Sequence, residues 1–79
     1  MNVAEVTEET VRTKLRSENP EFMRLEEEHR SLDKRLMTFE THVYLSPEEE
    51  FERRRLQKLK LAAKDRIAEM IRLYKTGNA

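Results

Sequence analysis

A regular spacing of apolar residues is the feature that most restricts how this chain folds. Between residues 22 and 39 the spacing alternates between three and four, through Phe22, Leu25, the semi-polar His29, Leu32, Leu36 and Phe39. Such a heptad seam is typical of a helix packed lengthwise against another helix, and it differs from the period of two in a β-strand. The pattern therefore predicts an all-α fold with this segment in a helical pair.

The first long helix has a clear start. Asn19 is a preferred N-cap residue, and Pro20 has a preset φ and no amide hydrogen that needs a partner. From residue 41 onwards the residues Thr, His, Val and Tyr are weaker helix formers than the Glu, Arg and Leu residues before them. We therefore expect helix A over residues 20–40 and a turn over residues 41–46.

The second long helix has the clearest local signal in the chain. Ser46 followed by Pro47, Glu48 and Glu49 is a capping box with Pro at the first helical position and acidic residues near the positive end of the helix dipole. Neither Gly nor Pro follows until Gly77. We therefore expect helix B over residues 47–75. Its predicted apolar stripe consists of Leu56, Leu59, Ala63, Ile67, Met70 and Tyr74.

A short extra helix is predicted before Pro20. Helix B, at about 43 Å, is longer than helix A at about 31 Å, so another segment must cover the far end of helix B. Val11 and Leu15 are four residues apart, and Thr7 is a suitable cap. We expect a helix over residues 8–17 that lies near Met70, Ile71 and Tyr74.

Together these elements predict one small domain over residues 1–79, an antiparallel, coiled-coil-like helical hairpin with a short N-terminal helix. Residues 1–40 have a net charge of −3 and residues 41–79 have a net charge of +3. Opposite charges favour the two halves lying side by side. In this register we expect residues 26–28 to lie near Lys58 and Lys60, and residues 53–55 to lie near Asp33.

Composition and motif spacing argue against an enzyme. The chain has 79 residues, of which 41% are charged, and no Cys. A single core of that size seldom supplies more than ~3 to 5 kcal/mol, and it leaves little room for a cavity. His29 and Asp33 are four residues apart, but we interpret them as a structural pair because no nucleophile or metal cluster accompanies them. We expect no catalytic residues, cofactor, metal or small-molecule substrate.

Several short motifs resemble the YdcH-like family of small bacterial proteins of unknown function. These are Asn19-Pro20 with Phe22, His29 with Leu32 and Asp33, and Lys60-Leu61 with Lys64, Asp65 and Ile67. The resemblance covers about residues 15 to 73. It implies a helical hairpin or coiled coil in a bacterial cytoplasm, and it implies no established activity.

Protein–protein contact is the leading functional hypothesis, because two amphipathic helices have no convergent reactive groups and bury little surface between them. We expect either a homo-oligomer or an adaptor that docks on a larger protein. The candidate interface residues are Met23, Met37, Tyr44, Leu61 and Leu73.

Nucleic-acid binding through helix B is the alternative hypothesis. Its candidate residues are Arg53, Arg54, Arg55, Lys58, Lys60 and Lys64. Basic residues on a helix neutralise phosphates without reading sequence. Against this, the run has no aromatic residue for stacking, and the pI of the chain is about 6.8.

The first twenty residues contain seven charged side chains and no apolar core, so we expect no signal peptide or membrane span and a cytoplasmic protein.

Overall fold

The computed structural model describes residues 7–77, which form three α-helices and, within that range, no β-strand. They are α1 (Glu8–Glu18), α2 (Pro20–Glu40) and α3 (Pro47–Lys75). The all-α prediction is confirmed. The molecule measures 53 × 22 × 17 Å and has a radius of gyration of 16.2 Å, whereas a compact domain of this length has a radius of gyration of about 12 Å. The chain is therefore a rod with little interior.

The start of each helix follows from hydrogen bonds within a few residues. The side chain of Thr7 accepts from the backbone N–H of Thr10. The Oγ of Ser46 accepts from the backbone N–H of Glu49 at 3.1 Å, and the Glu49 carboxylate accepts from the backbone N–H of Ser46 at 2.9 Å. The capping box expected at this position is present, and it satisfies two backbone donors at the start of α3.

Asn19 joins α1 to α2 without a loop. Its backbone N–H donates to the Leu15 carbonyl at 2.8 Å, and its side chain accepts from the backbone N–H groups of Glu21 and Phe22. The backbone of Asn19 is extended, with φ −126° and ψ 105°, because Pro20 disfavours the helical conformation in the residue before it. The bond to Leu15 also extends α1 to Glu18, one residue beyond the expected end.

The buried apolar residues form two separate clusters. The larger one, here called the three-helix cluster, contains residues of all three helices: Val11, Leu15, Phe22, Leu25, Ala63, Ile67, Met70 and Ile71, with Tyr74 packed against it. The placement of Val11 and Leu15 against the far end of α3 agrees with the expectation. Ile71 is buried while Leu59 is exposed, so the stripe of α3 turns toward α1 at its end.

The second cluster lies nearer the connection between α2 and α3 and is much smaller. This loop cluster consists of Leu32, Leu36 and Leu56, with the half-buried Phe39 packed against it. Only α2 and α3 contribute to it. His29 lies on α2 between the two clusters and is half-buried. The seam is thus apolar at both ends and interrupted by a polar residue.

The ion pairs between helices differ from the expected ones. Glu26 was expected near Lys58 and Lys60, but it pairs with Arg12 and Arg16 of α1. Asp33 was expected near residues 53–55, but its partner is Lys60 at 2.5 Å. The reason is that α1 folds back beside α2. Arg12 and Arg16, four residues apart, are therefore on one face of α1 and reach the same carboxylate.

Candidate functional site

The predicted interface residues are largely exposed, but the structure does not gather them on one face. Met23, Met37, Tyr44 and Leu61 are exposed, whereas Leu73 is half-buried. Leu61 and Leu73 are twelve residues apart on α3, which places their side chains about 120° apart around the helix axis. The five residues therefore do not define a single surface, and whether any of them contacts a partner stays a prediction.

The most exposed apolar residues lie at the connection between α2 and α3. Val43 is fully exposed, Tyr44 is 85% exposed, and Phe51 is 68% exposed. We call these three residues the loop surface. Phe51 is the fifth residue of α3, so it lies about 6 Å along the helix axis from its start. Sequence reasoning missed Val43 and Phe51. For Val43, the sequence signal was its position next to Tyr44 in a turn, where polar residues are usual.

The basic residues predicted to bind nucleic acid are mostly engaged with carboxylates of the chain itself. Arg53 contacts Glu50 at 2.5 Å, Arg54 contacts Glu50 at 3.9 Å, and Arg55 contacts Glu52 at 2.8 Å. Lys60 binds Asp33. Among residues 7–77 no ion pair is formed by Lys58 or Lys64.

These contacts lower the pKa of the carboxyls involved. The hydrogen bond from Arg53 holds the pKa of Glu50 below its ordinary value, and the bond from Arg55 does the same for Glu52. The pKa values of Arg53 and Arg55 are raised in turn by the same hydrogen bonds. The three consecutive arginines also point about 100° apart around α3. A phosphate backbone would have to replace existing partners, so nucleic-acid binding stays an untested prediction.

Glu26 is the best enclosed carboxylate that pairs between helices. Its Oε1 accepts from the Nε of Arg16 at 2.7 Å, and its Oε2 accepts from Arg12 at 3.1 Å. The hydrogen bond from Arg16 is the main cause that lowers the pKa of Glu26, with partial burial opposing it. Arg12 also contacts Glu8 one turn earlier. The network fixes α1 against α2 by charge in addition to the apolar contacts of Val11 and Leu15.

His29 and Asp33 do not form the pair that their spacing indicated. Asp33 accepts from Lys60, whose hydrogen bond lowers the pKa of that carboxyl. The Nε2 of His29 is buried and has no hydrogen-bond partner within the part of the chain that the structure describes. The Asp33 carboxylate therefore joins α2 to α3 and forms no hydrogen bond with His29.

An open groove of about 670 Å³ runs along one side of the molecule. All three helices line it. Glu8 and Arg12 come from α1, and the remaining lining residues come from α2 and α3: Glu26, His29, Arg30, Asp33, Lys64, Ile67, Ala68, Ile71, Arg72 and Lys75. Its floor is apolar and its edges are charged. The basic residue Lys64 is thus the one member of the predicted nucleic-acid set that lines this groove.

Within residues 7–77 no group of three or more His, Asp or Glu side chains is arranged to hold a metal ion. No helix of that range combines the length and apolar character needed to cross a lipid bilayer.

The fold and its surfaces define a small all-α protein with exposed apolar residues at its loop and a charged groove along its side. The chain belongs to a family of proteins of unknown function (DUF465), whose model matches residues 22–71. That family includes the YdcH-like proteins, so the resemblance seen in the sequence is confirmed. The matched range includes nearly all of α2 and most of α3 but excludes α1. Neither a curated protein nor a solved structure matches the chain significantly.

Proposed function

We propose that this chain is a non-enzymatic helical hairpin that acts by protein–protein contact, with the loop surface as its contact site. The observation that carries the proposal is the exposure of Val43, Tyr44 and Phe51 around one connection. Adjacent exposed apolar residues with an aromatic ring are typical of binding sites, because tyrosine contributes a large contact area at a small cost in side-chain entropy.

The proposal includes an antiparallel, coiled-coil-like arrangement of α2 and α3. Its support is the order of the ion pairs. Glu21 contacts Arg66, Asp33 contacts Lys60, and Arg35 contacts Glu52. As the residue number rises along α2, the number of its partner in α3 falls. A connection of six residues, 41–46, is of a length common between neighbouring antiparallel helices.

The loop cluster below this surface gives a physical reason for a partner. It buries three leucines, while the loop surface leaves three large apolar residues in water. A fully exposed aromatic side chain offers ~200 Å², so the three residues together expose on the order of 450 Å². Each partner of a stable complex buries ~800 Å². The loop surface is therefore the central anchor of a larger contact, made either with a second copy or with another protein.

The experiment compares a loop variant with a matched control. The variant is Val43→Ser with Tyr44→Ser, and the control is Met23→Ser, an exposed apolar residue of α2 about 27 Å along the chain from the loop. Light scattering over a wide concentration range measures self-association, and affinity capture in mild salt recovers partners. Association or capture should persist in the control and be lost in the loop variant.

A wild-type chain that stays monomeric and captures no protein would contradict the proposal, and so would a contact that the loop variant leaves unchanged. Far-UV circular dichroism of each variant shows whether the helices are intact.

We also propose a bacterial cytoplasmic location, on the strength of the family resemblance. Fractionation of the native cells, followed by detection of the untagged chain, tests this proposal. Recovery in the membrane or the extracellular fraction would contradict it.

A further inference from the structure

The groove has an apolar strip bounded by positive charge at both ends. Ile67, Ala68 and Ile71 of α3 line the groove. Ile67 and Ile71 are core residues, 5% and 6% exposed, whereas Ala68 is exposed. Lys64 lies one turn before this strip and Lys75 one turn after it. Eleven residues separate the two lysines, which corresponds to about 16 Å along the helix, or three turns.

The acidic and the basic residues that line the groove differ in how many of them form ion pairs. Its three carboxylates all have basic partners: Glu8 contacts Arg12, Glu26 contacts Arg12 and Arg16, and Asp33 contacts Lys60. In contrast, Arg30, Lys64 and Lys75 also line the groove and form no ion pair within residues 7–77. The acidic side chains are thus neutralised from within the molecule, and the groove presents an excess of positive charge to an incoming group.

We propose that this groove binds an acidic amphipathic helix of a partner protein. The apolar face of such a helix packs on the exposed Ala68 and on the aliphatic stems of the two lysines, above the buried Ile67 and Ile71, and carboxylates about three turns apart meet Lys64 and Lys75. A helix laid in an apolar groove and held by complementary charges is a common mode of recognition. The groove differs from the loop surface in every residue, so this inference stands independently of the proposed function.

Other anionic ligands fit the groove less well. A single-stranded nucleic acid gains much of its affinity by stacking bases on aromatic rings, and the groove lining contains no Phe, Tyr or Trp. A free phosphate is a compact anion, whereas the two lysines are separated by about 16 Å with apolar residues between them. An anionic membrane is a broad surface, whereas this strip lies recessed among three helices.

The test uses the full chain, labelled with ¹⁵N, and a synthetic helical probe of fourteen residues. The probe has leucines on one face and glutamates in its first and last turns. A second peptide has lysine in place of each glutamate. Amide chemical shifts are followed by NMR as each peptide is added up to about 1 mM, the range in which weak contacts are detected. The acidic peptide should shift the amides around Lys64, Ala68 and Lys75, and the basic peptide should not.

Charge-reversal variants make the test specific. The groove variant is Lys64→Glu with Lys75→Glu. The control, Lys34→Glu with Lys58→Glu, makes the same change in net charge at two exposed lysines outside the groove lining. The groove variant should lose affinity for the acidic peptide by at least about tenfold and gain affinity for the basic peptide. The control should bind the acidic peptide like the wild type, apart from a small effect of net charge.

Four results would overturn the inference. They are the absence of shifts at the highest peptide concentration, shifts centred outside the groove, an equal loss of affinity in both variants, and identical shifts on addition of inorganic phosphate. Anionic lipid vesicles provide a further comparison, because a preference for vesicles over the peptide identifies a membrane ligand in place of a protein helix. Loss of the loop surface, by Val43→Ser with Tyr44→Ser, should leave peptide binding unchanged.

Discussion

The two ends of the molecule are built from the same helices but are stabilised very differently. At the end where α1 packs, eight residues from three helices are buried together, and Glu26 is held by two arginines. At the loop end, three leucines from two helices are buried, and the most exposed apolar side chains lie nearby. In a pair of helices, each helix buries only one stripe of side chains. Where α1 adds a third stripe, a larger set of side chains is enclosed, including the fully buried Val11 and Phe22.

The two ends of the molecule therefore differ in what they contribute. The three-helix cluster contributes most of the buried apolar area, whereas the loop end leaves apolar area available for contact. Regions with few buried contacts open more readily than the rest of a protein. We therefore expect substitutions at the three-helix end to affect global unfolding most. Substitutions at the loop end should act locally or on binding.

Phe22→Ala should have the largest effect. Phe22 is fully buried where α1, α2 and α3 meet, and truncating such a residue lowers the free energy of unfolding by about 3 to 4 kcal/mol. The control Phe51→Ala removes the same ring from an exposed position and should change it by less than about 0.5 kcal/mol. Urea titration followed by circular dichroism measures both. Equal losses would contradict the contrast between the two ends.

Leu56→Ala should have the next largest effect, and its location sharpens the comparison. Leu56 is 1% exposed and completes the loop cluster, so its truncation should lower the free energy of unfolding by about 2 to 3 kcal/mol. Leu61→Ala, at an exposed position of the same helix, serves as the control. Hydrogen exchange should accelerate more at residues 32–39 than at residues 22–25. Uniform acceleration would show that the two clusters unfold as one unit.

Glu26→Gln should weaken the attachment of α1 by about 1 to 2 kcal/mol, because the carboxylate accepts charged hydrogen bonds from Arg12 and Arg16. Glu27→Gln changes the neighbouring, exposed carboxylate and should have little effect. Urea titration at neutral pH measures both variants. An equal effect of the two substitutions would show that the pairing adds nothing to stability.

The contacts of Glu26 with Arg12 and Arg16 also predict how the stability of the protein depends on pH. The pKa of Glu26 is lowered from its ordinary value of 4.5. Its contribution to stability is therefore fully present above that value and is lost as the pH falls through the folded-state pKa. Between about pH 5 and pH 3 the wild type should lose more stability than Glu26→Gln. If the free energy of unfolding fell equally with pH in the wild type and in Glu26→Gln, this cause of the lowered pKa would be contradicted.

Ser46→Ala should have the smallest effect of this series, about 1 kcal/mol, because it removes one half of the capping box at the start of α3. Ser31→Ala is the control. Ser31 is exposed within α2, where alanine favours the helix by a few tenths of a kcal/mol. Thermal unfolding should therefore show a lower Tm for Ser46→Ala and a slightly higher Tm for Ser31→Ala. A stabilising Ser46→Ala would contradict the role of the cap.

The sequence alone determined the helices and the residues that line their seam. Thr7, Asn19 and Ser46 cap the helices through bonds to residues no more than three positions away, so their roles can be inferred from neighbouring residues alone. The periodic positions Phe22, Leu25, Leu32 and Leu36 are all buried, because side chains that repeat every three or four residues share one face of a helix.

Only the tertiary structure decided which residues meet across the helices. Glu26 binds α1 and not α3, His29 separates two clusters, and Leu59 is exposed while Ile71 is buried. Each of these outcomes depends on how α1 lies beside α2 and on how far each helix is rotated about its axis. One residue corresponds to a rotation of about 100°. A small change in register therefore exchanges ion-pair partners while leaving the helix boundaries unchanged.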